Sequence, residues 1–359
     1  MYYVLPDITR KGRGAISNRA GRFELTNRYR TDDGWSTETE EPDRIATSLY
    51  VDSARTIIAR NKSPDLPFDR SVNPYRGCEH GCIYCFARST HAYYGLSAGL
   101  DFETRLIYKP DAADCLRAEL GDPNYLVGAL ALGTNTDPYQ PIERNKKLTR
   151  QILEVLAEYN HPVSIVTKSD LVLRDADIIS AMAAKGLAIV TVSVTTLDPC
   201  LARKLEPRAP TPRKRLATLG ALAAFGIPTG VLAAPMIPAL NDMELENILE
   251  DAAKVGARRA GYVLLRLPGE IAELFREWLE AHFPDKAAHV INLTKETRGG
   301  AKYDSRWGLR SVGSGPYANM LQQRFKVALR KYGLDNGSYG FDTTQFRRPP
   351  RKGDQLNLF

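Results

Sequence analysis

Three cysteines stand within one short stretch, Cys78-Glu-His-Gly-Cys82-Ile-Tyr-Cys85. The spacing is C-x3-C-x2-C, with the aromatic Tyr84 just before the last cysteine. Three thiolates this close can hold three irons of a cubane [4Fe–4S] cluster and leave the fourth iron open to a chelating molecule. Gly77 and Gly81 permit the tight turn such a loop needs. A structural zinc site with His80 or His91 as fourth ligand is the competing reading. Zinc motifs usually come as two separated pairs, and no second pair is present. A disulfide is disfavoured, because Cys115 and Cys200 are scattered and the first residues carry no export signal.

The loop needs elements to hold it. A strand-like run, Ser71–Tyr75, precedes it, and from about residue 66 strands and helices alternate. Strand-like runs cover Tyr125 to Leu132, Pro162 to Thr167, Leu187 to Val194, Ile227 to Ala234 and Gly261 to Leu265. Helical spacing covers Glu143 to Tyr159, Leu171 to Lys185 (closed by Gly186), a helix opened by Thr211-Pro212 and closed by Gly226, and Met243 to Val255 capped by Asp242. Alternation of this kind predicts a parallel sheet. The fold expected is α/β: a partial (β/α)6 TIM-like barrel with an N-terminal arm and a small C-terminal extension. Residues 1–65 read as a basic, extended arm, 66–285 as the core, 286–345 as the extension and 346–359 as a flexible tail. Functional groups should gather at the carboxyl ends of the strands. There the chain offers Asn135, Thr136 and Asp137, Thr167 and Lys168, Ser193 with the later Glu206, and Pro235-Met236.

Composition sets the class. The 359 residues are 43% hydrophobic and 25% charged, as in globular proteins, and no apolar run is long enough for a membrane span. A cytoplasmic location is expected and suits an oxygen-sensitive cluster. The net charge is +7 and the pI about 9.1. Arg10, Lys11, Arg13, Arg19, Arg22, Arg28 and Arg30 share one glycine-containing stretch, which can lie on phosphates or remain a solvated tail.

The cysteine spacing with its aromatic residue resembles the signature of the radical S-adenosylmethionine (SAM) superfamily. Within it, Asn135-Thr136-Asp137, Thr167-Lys168, Ser193, Leu205-Glu206-Pro207 and the run Gly230–Pro238 resemble the spore photoproduct lyase-like branch, over roughly residues 70 to 245. Lys11–Ala15 and Arg306–Arg310 are similar to an uncharacterised bacterial subfamily grouped with DNA repair photolyases. The resemblance implies that Cys78, Cys82 and Cys85 hold a [4Fe–4S] cluster, which reductively cleaves SAM to a hydrogen-abstracting 5′-deoxyadenosyl radical. It implies that Thr136, Lys168 and Ser193 contact the SAM methionine or ribose and Tyr84 the adenine, with Pro235 nearby; Asn135 and Glu206 join the cofactor-binding set. One departure stands out: where photoproduct lyases carry a hydrogen-returning cysteine, this chain has Thr134. Cys115, Cys200 and Tyr139 are substitute donors to consider, and no catalytic residue is assigned.

The substrate expected is nucleic acid, DNA before RNA, in a repair-related reaction. Modification of tRNA or of a protein is the alternative, and a non-catalytic metal-binding module on nucleic acid is a third. An electron donor such as flavodoxin or ferredoxin is implied as partner. The sequence Gln355-Leu-Asn-Leu-Phe359 resembles the peptide with which bacterial polymerases and repair proteins dock on the sliding clamp, so clamp docking through Gln355–Phe359 is expected.

Overall fold

The computed structural model describes residues 7–24, 45–335 and 340–350. The clamp-like motif at Gln355–Phe359 and the arm residues Arg28 and Arg30 lie outside the described residues. In chain order the strands are β1 (Ser48–Val51), β2 (Ile58–Arg60), β3 (Arg70–Val72), β4 (Tyr75–Arg76), β5 (Arg105–Tyr108), β6 (Leu130–Leu132), β7 (Val163–Thr167), β8 (Ala188–Ser193), β9 (Thr229–Met236) and β10 (Arg259–Leu264). The main sheet runs β10-β9-β8-β7-β6-β3-β2. From β3 to β10 every neighbouring pair is parallel, and only β2 runs antiparallel, on the outer side of β3. These six parallel strands follow one another in chain order, as a singly wound sheet of βα units demands. β6 is wholly buried and β8 and β9 nearly so, which is why these three read as unbroken apolar runs, while β7 alternates and β10 is mostly half-buried.

The helices are α1 (Asp101–Thr104), α2 (Ala112–Leu120), α3 (Glu143–Lys146), α4 (Leu148–Glu158), α5 (Ala176–Ala183), α6 (Pro199–Leu205), α7 (Pro212–Ala224), α8 (Leu245–Lys254), α9 (Ile271–His282), α10 (Pro284–Glu296) and α11 (Gly315–Tyr332). They bury one face each; α8 buries Leu245, Ile248, Leu249 and Ala252, one stripe at helical spacing. Several expected elements are shorter or divided. Glu143 to Tyr159 is two helices, because Lys147 adopts a left-handed backbone with φ 54°. At that break the Glu143 carboxylate bonds the Tyr75 hydroxyl, Arg174 and the Thr149 amide. The strand expected from Tyr125 shrinks to β6, since Arg70 bonds the Tyr125 hydroxyl and the Leu126 carbonyl and holds that stretch outside the ladder. Asp242 does not cap α8; its carboxylate accepts from the Tyr317 hydroxyl at 2.5 Å, tying α11 to the barrel.

A second sheet, β1-β5-β4, sits beside the barrel. Its strands β4 and β5 lie in the stretch between β3 and β6 that carries the cysteine loop, β1 comes from the N-terminal segment, and sequence periodicity does not reveal the sheet. Residues 1–65 read as an extended arm, yet Gly14 to Ser17 are buried and β1 and β2 are paired strands. At the other end, α11 packs on α8 and β10 through the Arg324–Glu246 ion pair at 2.6 Å and the Tyr262–Phe325 ring contact at 4.7 Å. The boundary expected at residue 286 falls inside α10.

Candidate active site

The cysteine loop leaves β4 through Gly77 and turns again at Gly81, both with left-handed backbones (φ 79° and 68°). Its start is pinned by the Cys78 amide donating to the Phe102 carbonyl (3.0 Å) and its end by the Ile83 amide donating to the Leu205 carbonyl (3.1 Å). A wholly buried arginine grips the middle. Arg88 donates to the carbonyls of Gly81 (3.0 Å), Cys82 (2.8 Å), Ala98 (3.1 Å) and Gly99 (2.9 Å) and pairs with the equally buried Glu103. The Glu103 carboxylate also accepts from the amides of Gly14 (2.9 Å) and Ala15 (2.8 Å). An added Cβ on Gly14 would stand 2.0 Å from the Gly81 carbonyl oxygen. The N-terminal segment is thus laid directly on the loop.

Burial pushes all three loop thiols upward, Cys82 to about 12 despite the opposing pull of Lys168. Bound iron reverses this, because its charge deprotonates a coordinating thiol outright. Among the described residues no three His, Cys, Asp or Glu side chains converge on one ion position. The proposed fourth zinc ligands are engaged elsewhere. The His91 Nε2 bonds the Arg105 carbonyl at 3.0 Å, and His80 Nδ1 faces Asp137 at 3.4 Å.

Facing the loop, the strand ends carry a second buried network. Glu206 accepts from Thr195 Oγ1 (2.6 Å), from the Tyr84 hydroxyl and from Arg215. Burial alone would raise its carboxyl, but Arg215 and Lys168 outweigh that and hold it down at about 2. Asp137 is held at about 2 by His80 and by donors that overcome burial. Those donors are Thr167 Oγ1 at 2.7 Å and the Lys168 amide at 2.8 Å.

The structure brings the expected residues together at the barrel's carboxyl end, with different degrees of freedom. The Lys168 ammonium lies 5.8 Å over the Tyr84 ring. Burial opposes its charge, but Cys82 and Glu206 raise its pKa on balance. No hydrogen bond or ion pair holds this ammonium among the described residues. The Thr136 hydroxyl donates to the Tyr75 carbonyl (2.9 Å), and the Ser193 hydroxyl to the Ala234 carbonyl (3.4 Å). Each keeps acceptor capacity. Asn135 is held by its amide, which donates to Asn73 Oδ1 at 3.3 Å. The Pro235 carbonyl accepts from Asn241 at 3.0 Å, and Asn241 also bonds the Thr195 carbonyl at 2.7 Å. Arg215, Arg88 and Glu103 are missed by sequence reasoning. A charged residue on a helix reads as solvated surface unless its partner, far away in sequence, is known. Of the substitute hydrogen donors, Cys115 points its thiol at the Ala54 carbonyl (3.6 Å) on the outer side of the sheet, Cys200 is exposed, and Tyr139 is wholly buried in the main core.

Comparison with known proteins gives the family. The Radical SAM superfamily model matches residues 72–252, from β3 through most of α8. An uncharacterized protein of Mycobacterium tuberculosis (strain ATCC 25618 / H37Rv) is 37% identical over 281 residues, 77% of this chain and 79% of that protein. One from Methanocaldococcus jannaschii is 28% identical over 223 residues, 62% of this chain and 80% of that protein. Among solved structures, a spore photoproduct lyase complexed with dinucleoside spore photoproduct shares the fold, with a TM-score of 0.56 at 16% identity over 79% of each chain. The chain belongs to the radical SAM superfamily and is an enzyme of that superfamily, with a [4Fe–4S] cluster and SAM as its cofactors. No helix among the described residues is long and apolar enough to cross a membrane.

Proposed function

We propose that this enzyme uses its cluster and SAM on a nucleic-acid substrate, DNA before RNA, with Cys78, Cys82 and Cys85 as cluster ligands. When bound, the reduced cluster with SAM supplies a one-electron cleavage that yields a hydrogen-abstracting radical. The chain's part is to bind, orient and dry that chemistry. The observation that carries the reading is Lys168: a cation with no hydrogen bond or ion pair among the described residues, set beside the cysteine loop and Tyr84. A desolvated cation needs an anion, and the SAM carboxylate is one of the right size and charge. Asn135 can bond the amino or ribose groups, Thr136 and Ser193 can accept from them, and Tyr84 offers its ring. Glu206 acts mainly by anchoring Tyr84 and balancing Lys168, while Pro235 shapes the wall. The DNA part is supported by the fold shared with an enzyme solved with a dinucleoside lesion and by the net charge of +7.

Lys168→Ala should weaken SAM binding about 10- to 100-fold, the worth of one charge-assisted hydrogen bond, with iron content intact. Anaerobic equilibrium dialysis measures this, and an unchanged Kd removes Lys168 from the site. Damaged DNA should stimulate release of 5′-deoxyadenosine from the dithionite-reduced enzyme more than RNA does. Equal rates with and without either polymer would defeat the nucleic-acid reading.

A further inference from the structure

The parallel sheet is open, for its first strand β3 and last strand β10 are not neighbours. The segments that follow these two strands nevertheless meet. Arg266, just past β10, lays its guanidinium over the ring of Phe86, the residue after Cys85, at 5.2 Å. The same guanidinium stands 5.9 Å from the ring of Tyr303 and donates to the Tyr303 hydroxyl at 3.2 Å. Phe86 keeps 42% of its surface exposed, so the stack opens to solvent beside the cysteine loop.

A second arginine lies against the first. Arg298 is 2% exposed and donates only to backbone carbonyls, those of Leu264 (3.3 Å), Leu265 (2.8 Å) and Leu309 (2.9 Å). Burial and the neighbouring Arg266 both press on its charge. Neither arginine has a carboxylate partner among the described residues, and Arg266 Nε is buried without an acceptor. The other buried arginines behave differently: Arg88 pairs with Glu103 and Arg215 with Glu206. Asp304, whose charge reaches Arg298, is itself paired with Arg306 at 2.7 Å. Two adjacent cations with no ion-paired carboxylate among the described residues repel each other, and low dielectric strengthens that repulsion. An incoming anion relieves it.

The geometry points to Arg266 as the cation that takes a phosphate of the nucleic-acid substrate, with Phe86 and Tyr303 stacking the adjoining base on the ring faces the guanidinium leaves open. This rests on the nucleic-acid reading above. A guanidinium held by two rings and a hydroxyl is preorganised for a bidentate anion. Aromatic faces next to a cation suit a strand of nucleotides, where charge and planar ring alternate. A carboxylate side chain of a protein substrate would use the cation and leave both rings idle.

The test uses the full chain with its cluster reconstituted anaerobically and a fluorescein-labelled 12-nucleotide single-stranded DNA, followed by anisotropy over a salt series. Arg266→Ala should weaken binding about tenfold or more, and should flatten the slope of log K against log salt by about 0.7, the value for one single-strand phosphate. Arg266→Lys should keep the slope and lose part of the affinity. Tyr303→Ala should lose about 5- to 100-fold, the worth of one stacked base, at unchanged slope. Arg276→Ala, on the outer face of α9, should behave as wild type. Full iron content certifies each variant; if Arg266→Ala loses iron, Arg266→Lys and Tyr303→Ala decide. Wild-type affinity and slope in the Arg266 variants, with DNA bound by the parent, would overturn the assignment alone. A parent protein that binds neither DNA nor RNA would overturn the nucleic-acid reading and the assignment with it. A poly-glutamate peptide that binds better than DNA, with the same loss in Arg266→Ala, would replace phosphate by carboxylate and overturn it too.

Discussion

Cys78, Cys82 and Cys85 differ from the other two cysteines in what surrounds them. They lie in one loop whose carbonyls are clamped by Arg88, while Cys115 and Cys200 sit on separate helices. Changing any of the three to Ala should abolish the cluster, seen as loss of iron, sulfide and visible absorption. Cys115→Ala and Cys200→Ala should retain full iron. Stoichiometric iron in Cys82→Ala would disprove the ligand set. Glu206 shows how much the site depends on charge balance. Glu206→Gln leaves Arg215 buried with no anion, which costs about 3–5 kcal/mol when one partner of a buried pair is removed. Urea unfolding of the apoprotein should show that loss, and Glu206→Gln combined with Arg215→Met should recover part of it. If the double variant is no more stable than the single one, the pair is not the source of the loss.

Among the elements, the least expected contributor is the segment around Gly14. It adds no regular structure, yet its amides complete the Glu103 carboxylate and its backbone rests on Gly81. Arg13 extends the same fastening, donating to the carbonyls of Glu103 (2.8 Å) and Ile45 (2.6 Å). Arg19 pairs with Glu277 at 2.6 Å and Arg22 with Glu270 at 3.4 Å. Several of the cations read as a phosphate-binding arm are therefore engaged with the protein's own body. Gly14→Ala must push the segment away from the loop, since backbone on both sides cannot yield cheaply. The variant should still take up a cluster, and air should bleach its visible absorption severalfold faster than in the parent. An unchanged bleaching rate would mean that the segment does not shield the loop.

Across the whole molecule, stability should fall on mild acidification for a reason remote from the cluster. Burial lowers His161 to about 4, and its ring is packed between Tyr125 and Phe346 with Nε2 2.9 Å from the Tyr125 hydroxyl. An unfolded histidine titrates near 6.5. Between these values the unfolded chain binds the proton and the folded one does not, so stability drops as pH falls from about 6.5 to about 4. His91, also lowered to about 4 by burial, acts in the same direction. Urea midpoints of the apoprotein should decline over that window, and His161→Gln should show a shallower decline. Equal slopes in the two proteins would show that His161 is not held neutral by the fold.

The cysteine loop, the parallel sheet and the strand ends that gather near the loop were legible in the sequence, because each rests on local information. Cysteine spacing reports a single loop, buried parallel strands are unbroken apolar runs, and Gly186 and Gly226 mark helix ends by a backbone only glycine takes readily. The small sheet β1-β5-β4 was not legible, since its strands are short and pair across long stretches of chain, Ser48 with Arg105 and Tyr75 with Tyr108. Nor were the ion pairs Arg88–Glu103 and Arg215–Glu206, or the meeting of Arg266 with Phe86 and Tyr303. A charge announces its type in the sequence, but its meaning depends on whether burial removes water and which distant group replaces it. For Arg13, Arg19 and Arg22 tertiary structure supplied the partner; for Lys168 and Arg266 it supplied no ion pair among the described residues, and that difference is why these two are proposed as ligand-binding cations.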